Sequence, residues 1–348
     1  MPRLWRYLTT RLVIAGGLLG TGCAPVAVLE SLPPAAPLLG PAAPQQVGPD
    51  AVTLLRSGTA TFVQLQQLID DARMSVHVEV YEFNHPLLVD AVLQAHARGV
   101  DVTVIDDPSE VSSAATAQRL RGAGVTVIDY PVRKLMIDHV KLLVVDGSVA
   151  VVGGINWGSA SPANHDYDAM IRGPSVHNLD RVFDRDLVTC GVPAAIPAPL
   201  LDAGITVAST LPGAEIRPLA LQLIDGAMHS LRLELFVLTD TAIVHALEAA
   251  RQRGVDVRLL LDPSQHSSDP SYQSLVSSGV PVRWYRTRGE LLHAKAIVAD
   301  ANGVLFGSAN WSGGGFDRNH ELDIEMAGEP VIASQMQAQM ALDWAASA

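Results

Sequence analysis

His139-Val140-Lys141-Leu142-Leu143-Val144-Val145-Asp146 and His293-Ala294-Lys295-Ala296-Ile297-Val298-Ala299-Asp300 spell one pattern twice: a histidine, one residue, a lysine, four residues, an aspartate. Each copy runs on into a glycine-bearing turn ending in Asn-Trp, Gly153-Gly154-Ile155-Asn156-Trp157 and Gly307-Ser308-Ala309-Asn310-Trp311. The apolar run predicts a strand, where side chains at i and i+2 share a face. His139 and Lys141 therefore project together, as do His293 and Lys295. Asp146 and Asp300 stand seven residues beyond their histidines, an odd number, so they face away and read as structural. Gly147 after Asp146 is a turn signal with another apolar run beyond it. That second run returns Asn156, or Ser308 with Asn310, to the side of the His-Lys pair.

Outward from these elements the whole body repeats. Leu68-Ile69-Asp70 answers to Leu223-Ile224-Asp225, Arg98-Gly99-Val100-Asp101-Val102 to Arg253-Gly254-Val255-Asp256-Val257, and Asp107-Pro108-Ser109 to Asp262-Pro263-Ser264, all at an offset of 155. The His-Lys-Asp copies are offset by 154, so the intervening segments differ by one net residue. The repeat defines two domains, residues 55–190 and 213–345, with a Pro/Ala/Gly-rich linker over 191–212. Val76, Val78 and Val80 alternate with polar residues as a strand does. Pro86 near the start and Gly99 past the end frame a helix, and Val100 to Ile105 is a second strand. The second half copies this order over Leu231–Leu238, Ile243–Arg253 and Val255–Leu261. The expectation is an α/β fold with a largely parallel sheet in each half.

Two histidines in matched contexts suggest one composite site, with one as nucleophile and the other as proton donor, the division of labour that phosphodiester chemistry uses. A covalent intermediate splits a difficult displacement into two easier ones, and a group with a pKa near 6.5 serves as base and acid near neutrality. Lys141, Lys295, Asn156, Asn310 and Ser308 are donors for phosphoryl oxygens that gain charge in the transition state. Trp157 and Trp311 read as packing residues with substrate contact as the alternative, and Tyr81 and Phe236 as packing residues with the substrate entrance as the alternative. Glu79 and Glu234 occupy matching strand positions, either orienting site groups or lying on solvated faces. The seven histidines outside the repeated site segments read as structural or exposed. No Cys/His cluster has zinc spacing, and no cofactor is expected.

The doubled motif, the Gly-Gly/Gly-Ser-x-Asn turns and a downstream acid together resemble the phospholipase D superfamily over about residues 55–345. The resemblance implies two homologous α/β domains packed with pseudo-twofold symmetry and an active site at their interface. It also implies a phosphohistidine intermediate resolved by water or a second alcohol without a metal. Asn319-His320-Glu321 resembles the family segment whose acid fixes the tautomer of the reacting imidazole, which makes Glu321 that acid. Asn164-His165-Asp166 is the corresponding first-half segment; Asp166 is the choice there, with Asp168 competing. Gly154 stands where the second half has Ser308, so the two sides are unequal. Family analogy assigns the nucleophile to His139.

The chain has 348 residues and a formal net charge of −12, acidic for a nucleic-acid binder. Residues 1–22 read as a lipoprotein-type signal peptide: Arg3, Arg6 and Arg11 flank an apolar run too short to span a bilayer, and small residues lead to Cys23 as the lipidation site. Leu19 lies one position early for a lipobox, so cleavage without lipid stays open. Residues 23–50 are rich in proline and read as an extended tether. With Cys23 lipidated, Cys190 has no disulfide partner. The expected protein is an exported, membrane-anchored enzyme of phospholipid headgroups that hydrolyses or transfers them, partnered by a membrane surface and by no obligate protein. The alternatives are an exported nuclease, which a basic groove at the site would mark, and a non-catalytic surface binding module.

Overall fold

The computed structural model describes residues 38–201, 204–286 and 290–347. Residues 1–22 and Cys23, read above as signal and lipidation site, lie outside them. The first half runs β1 (Gln45–Val47), β2 (Asp50–Leu55), α1 (Gly58–Asp71), β3 (Ser75–Val80), α2 (Pro86–Ala97), β4 (Asp101–Asp106), α3 (Ala114–Gly122), β5 (Thr126–Asp129), β6 (Lys141–Val145), β7 (Val149–Gly153), β8 (Asp168–Arg172) and α4 (Ser175–Thr189). The second runs β9 (Thr206–Ser209), α5 (Ile216–Gly226), β10 (Ser230–Leu235), α6 (Thr241–Gln252), β11 (Asp256–Leu261), α7 (Asp269–Ser277), β12 (Val282–Trp284), β13 (Lys295–Ala299), β14 (Gly303–Gly307), α8 (Gly313–Asp317), β15 (Leu322–Met326) and α9 (Pro330–Ala346).

Strand order is β1-β2-β8-β7-β6-β3-β4-β5 in one sheet and β12-β11-β10-β13-β14-β15-β9 in the other. Each sheet is mixed rather than largely parallel. Only the segments joined by crossover helices pair in parallel, β3 with β4 and β4 with β5, then β10 with β11 and β11 with β12. The motif strands β6 and β13 fold back on β7 and β14 through tight turns, and a tight turn permits antiparallel pairing alone.

Those turns explain the two motif aspartates. Asp146 and Asp300 sit at positive φ (53° and 51°) and turn their carboxylates away from the histidines. Asp146 accepts the backbone N–H groups of Arg73, Met74 and Ser75, and Asp300 those of Met228, His229 and Ser230. Each thus caps the entry to the neighbouring strand, β3 or β10. Several N–H donors on one carboxylate hold it ionised, and both pKa values lie below the ordinary range although burial opposes this.

Helices α1 to α3 cover the outer face of the first sheet and α5 to α7 that of the second. The largest core lies between the sheets, where Leu142, Val144, Ala169 and Ile171 join Leu179 and Phe183 of α4, Ala296 and Phe306 of the second sheet, and Ile332 and Met336 of α9. A shared apolar core of this kind makes the two halves one body rather than two modules on a string.

Two segments expected to be connections are structured. The tether reading extended to residue 50, yet Ala42 and Val47 are buried and β1 pairs antiparallel with β2. Asp50, fully buried, accepts Ser175 N–H at 2.8 Å and Ser175 Oγ–H at 2.6 Å. The linker likewise contributes β9, whose Thr206–Ser209 pair with β15. In both cases an exposed sheet edge recruits the nearest chain that can supply backbone hydrogen bonds.

Candidate active site

The approach to each motif strand is fixed by an aspartate that ends the preceding parallel strand. Asp107 accepts Asp138 N–H at 2.7 Å and Asp262 accepts Leu292 N–H at 2.8 Å. From there the two halves cross. His139 N–H donates to His320 O at 2.8 Å and His320 N–H to Ile137 O at 2.9 Å. His293 N–H donates to His165 O and His165 N–H to Leu291 O, both at 2.9 Å. The chain before each motif lysine is thus stitched to the opposite half's Asn-His-acid segment.

This stitching exchanges the acids. His139 Nδ1 lies 2.8 Å from Glu321, and His293 Nδ1 lies 2.9 Å from Asp166, so each imidazole is oriented by a carboxylate of the other half. Asp168 does not compete. Its carboxylate accepts Ile155 N–H and Thr61 Oγ–H, bracing the turn that carries Asn156. Asp323, which the sequence reading missed, does the same through Ala309 N–H beside Asn310. Gly153 and Gly307 are required here, because a Cβ would stand 2.2 and 2.3 Å from these carboxylates.

Lys141 and Lys295 are buried, and each ammonium donates to the backbone oxygen of its own motif histidine. Lys295 Nζ is also 3.1 Å from His293 Nε2. Tyr81 packs edge-on to His139 with ring centroids 5.1 Å apart, and Phe236 against His293 at 4.8 Å. Lys141 and Lys295 lie 5.4 Å from the same two rings. Both aromatics are half-exposed, so they wall the site rather than fill the core. Trp157 and Trp311 are buried packing residues.

Ser308 differs from its expected role. Its hydroxyl donates to Glu321 Oε2 at 2.6 Å and accepts Leu322 N–H, leaving it no hydrogen for a phosphoryl oxygen. Asn319 donates to the other oxygen of Glu321 at 3.0 Å. On the opposite side Asp166 Oδ1 has no hydrogen-bond partner among the described residues, and a Cβ on Gly154 would sit 2.3 Å from it. The Gly154/Ser308 difference therefore tunes the acids, not the substrate contacts. Asn156 and Asn310 keep side-chain amides that make no hydrogen bond among the described residues, with the oxygens buried.

The electrostatics follow from burial. Desolvation pushes the His139 pKa down to about 4 although Glu321 opposes it, and His293 is likewise lowered, by burial and Lys295. Burial brings Lys141 to about 7 and Lys295 to about 8. Glu321 and Asp166 stay below the usual carboxylate range, because the facing histidines and lysines outweigh burial. The site is a desolvated pocket in which two lysines are matched by two carboxylates, so an entering anion favours the protonated lysines and imidazoles.

Sequence reasoning passed over two further clusters. Glu79 and Glu234 are fully buried rather than solvated. His320 Nε2 lies 2.9 Å from Asp186 and 3.6 Å from Glu79; His165 Nε2 lies 2.9 Å from Glu234 and 3.2 Å from Asp343. Tyr167 Oη–H also donates to Glu234. Burial opposes charge on His165, but Glu234 and Asp343 outweigh it and raise the pKa to about 10. Each triad has the composition of a metal site. Donor atoms around a zinc ion stand more than about 3 Å apart, whereas these imidazoles touch a carboxylate directly. A proton fits the spacing better than an ion.

Two matched His-Lys pairs, each completed by an acid from the other half, define the comparison to be made. A family model described as cardiolipin synthase, PLD-like domain matches residues 65–187 and 220–344. The chain belongs to that family. Family membership places it in the phospholipase D superfamily. A cardiolipin synthase of Geobacillus thermodenitrificans (strain NG80-2) is 28% identical over 313 residues, covering 78% of this chain and 61% of its own. Cardiolipin synthase A of Pseudomonas putida is 28% identical over 310 residues, covering 78% and 64%. The chain thus spans less than two thirds of the length of these relatives. The crystal structure of phosphatidylserine synthase from Haemophilus influenzae Rd KW20 shares the fold, with TM-score 0.64 over 88% of this chain and 87% of that one at 14% identity. Within the described residues no helix is long and apolar enough to cross a membrane.

Proposed function

We propose that the protein is a phosphatidyltransferase that works on phospholipid headgroups through a phosphohistidine. The observation that carries this reading is the exchange of acids: both Nδ1 atoms face carboxylates, 2.8 and 2.9 Å away. Each Nε2 is thereby directed toward substrate. The cardiolipin synthase relatives support a phospholipid donor and an alcohol acceptor.

His139 is the nucleophile in this proposal. Its Nδ1–H has two acceptors, Glu321 and Ser308 O at 3.1 Å, and Glu321 is itself held by Ser308 and Asn319. His139 Nε2 attacks phosphorus, the bond from phosphorus to the headgroup oxygen breaks, and His293 gives that oxygen its Nε2 proton. The headgroup alcohol departs and a P–N bond remains. His293, now neutral, takes the proton of an acceptor hydroxyl as that oxygen attacks phosphorus and releases His139. Lys141, Lys295 and the free amides of Asn156 and Asn310 hold the phosphoryl oxygens. The proposal extends to location: anchorage of an exported body at a membrane through lipidated Cys23, supported by the sequence pattern of residues 1–23.

His139→Ala and His293→Ala should each lower turnover of phosphatidylglycerol by at least 10³-fold with unchanged circular dichroism. Mass spectrometry should find acid-labile phosphate on His139. Retained activity in either variant, or faster cleavage of single-stranded DNA than of lipid by wild type, overturns the reading. Equal membrane retention of Cys23→Ser and wild type rejects the anchor.

A further inference from the structure

Beside the reacting groups lies a cavity that the mechanism above does not use. Its volume is about 610 Å³, and it opens between the loop before His139, the end of α4 and the chain before His320. Three guanidiniums line it, those of Arg133, Arg185 and Arg318. Arg133 and Arg318 are exposed and make no side-chain hydrogen bond or ion pair among the described residues. Arg185 is held by Ser209 through Nη1 at 3.1 Å, but its Nη2 is buried with no acceptor among the described residues. A buried donor on a charged group without an acceptor is costly, and an anion in the cavity would satisfy it. Asp186, the acid in the lining, is shared between His320 at 2.9 Å and Arg185 Nε–H at 3.4 Å, which leaves the charges of Arg133 and Arg318 unmatched among the described residues. In a chain of net charge −12 this is a local concentration of positive charge.

Apart from Thr189 and the Tyr130 hydroxyl, the rest of the lining is apolar, with Met136 and Pro212 among it. At the rim Lys134 and Leu135 form the corner of a turn closed by Met136 N–H to Arg133 O at 3.0 Å. Leu135 is 76% exposed and holds φ at 65°, a left-handed conformation that a leucine adopts at a cost. An exposed leucine directly after two cations, Arg133 and Lys134, suits the boundary between headgroups and acyl chains.

The cavity is close to the chemistry. Met136 precedes His139 by three residues and Arg318 precedes Glu321 by three. Three residues of extended chain span at most about 10 Å. A polyol bridging two phosphates has a reach of that order.

We propose that this cavity is an acceptor subsite: it binds the phosphate of a second phospholipid and presents that lipid's free headgroup hydroxyl to the phosphohistidine. The proposal rests on the transferase reading, and the following measurements separate the two.

Full-length protein is given phosphatidylglycerol vesicles, and the lipid-transfer product and the hydrolysis product, phosphatidic acid, are quantified together. In Arg133→Gln/Arg318→Gln the ratio of transfer to hydrolysis should fall at least tenfold, with the apparent KM for acceptor lipid raised. Arg133→Lys/Arg318→Lys should recover part of it. A ratio within twofold of wild type overturns the subsite. Independently, dihexanoyl phosphatidylglycerol and inorganic phosphate are titrated calorimetrically into His139→Ala protein with and without the two glutamines. Lipid affinity should drop at least tenfold with them. If only the phosphate titration responds, the cavity is a free-anion site and the proposal fails. Should wild type yield no transfer product, the functional reading fails while the titration still decides the cavity.

Discussion

Replacing Glu321 by glutamine changes one atom at the centre of a converging set of donors. His139 Nδ1–H, Ser308 Oγ–H and Asn319 Nδ2–H all point at the two carboxylate oxygens, from 2.8, 2.6 and 3.0 Å, in a fully buried position. Glutamine offers one oxygen and one NH₂. If the oxygen stays toward His139 and Ser308, the NH₂ opposes that of Asn319 and leaves a buried donor unsatisfied, a loss of about 1–3 kcal/mol. If it flips, the NH₂ faces His139 Nδ1 and drives the imidazole into the tautomer with Nε2 protonated, which cannot attack phosphorus. The first outcome also removes the negative charge that stabilises an imidazolium-like His139 as the P–N bond forms. A charge-assisted hydrogen bond contributes about 1.5–3 kcal/mol, roughly 10- to 150-fold in rate. The tautomer error alone amounts to about 10⁴-fold in the serine-protease precedent. Expected therefore is a burst rate lowered between about 10² and 10⁴-fold with a p-nitrophenyl phosphodiester, and a modest fall in Tm. Rapid-mixing measurement of p-nitrophenolate gives the burst directly. A burst within threefold of wild type would refute the assignment of Glu321 as the orienting acid of His139.

The same geometry yields three further expectations. Gly154→Ser, which copies the second half's serine into the first, drives a Cβ to within 2.3 Å of Asp166 Oδ1; it should displace Asp166 from His293 and lower turnover at least tenfold, whereas wild-type turnover would show that the two turns are interchangeable. His165→Gln leaves Glu234 and Asp343 buried without their cation and should destabilise the fold by about 3–5 kcal/mol in urea titrations, a loss under 1 kcal/mol counting against the ion-pair assignment. Because the folded-state pKa of His165 is raised to about 10, its stabilisation is full below its unfolded value near 6.5 and fades as pH rises through 10; the wild-type minus His165→Gln difference should shrink over that window. Finally, His139 loses its proton above about 4, whereas the general acid His293, lowered below its ordinary 6.5 by burial, and then Lys141 and Lys295, near 7 and 8, lose theirs, so kcat/KM should be highest on the acid side of neutrality and decline above it, and a profile still rising at pH 9 would contradict the roles of His293 and the lysines.

Much of this was legible because repetition made it so. The His-Lys pairs, the outward-facing structural role of Asp146 and Asp300, and the helix-strand order all follow from local periodicity counted twice. What escaped was long-range. Which half an acid serves depends on the crossing of residues 137–139 with 320 and of 165 with 291–293, and no spacing within either copy encodes it. The parallel reading of the sheets failed because local pattern gives strands, while direction comes from connection length; the Asp146-Gly147 turn was the available signal. Ser308 was misjudged because a hydroxyl beside a reactive site is equally suited to a buried acid, and only distance discriminates. Glu79 and Glu234 were legible as a matched pair, but their partners Asp186 and Asp343 sit on helices whose packing between the sheets had no sequence signature.

The exchange of acids makes the active site a conjunction. A nascent or clipped chain with one half folded would hold a motif histidine without its orienting carboxylate, and a deeply buried triad without its imidazole. Completion of the site and assembly of both halves are then the same event. Fragments and folding intermediates that hold one half alone therefore lack a complete site by construction.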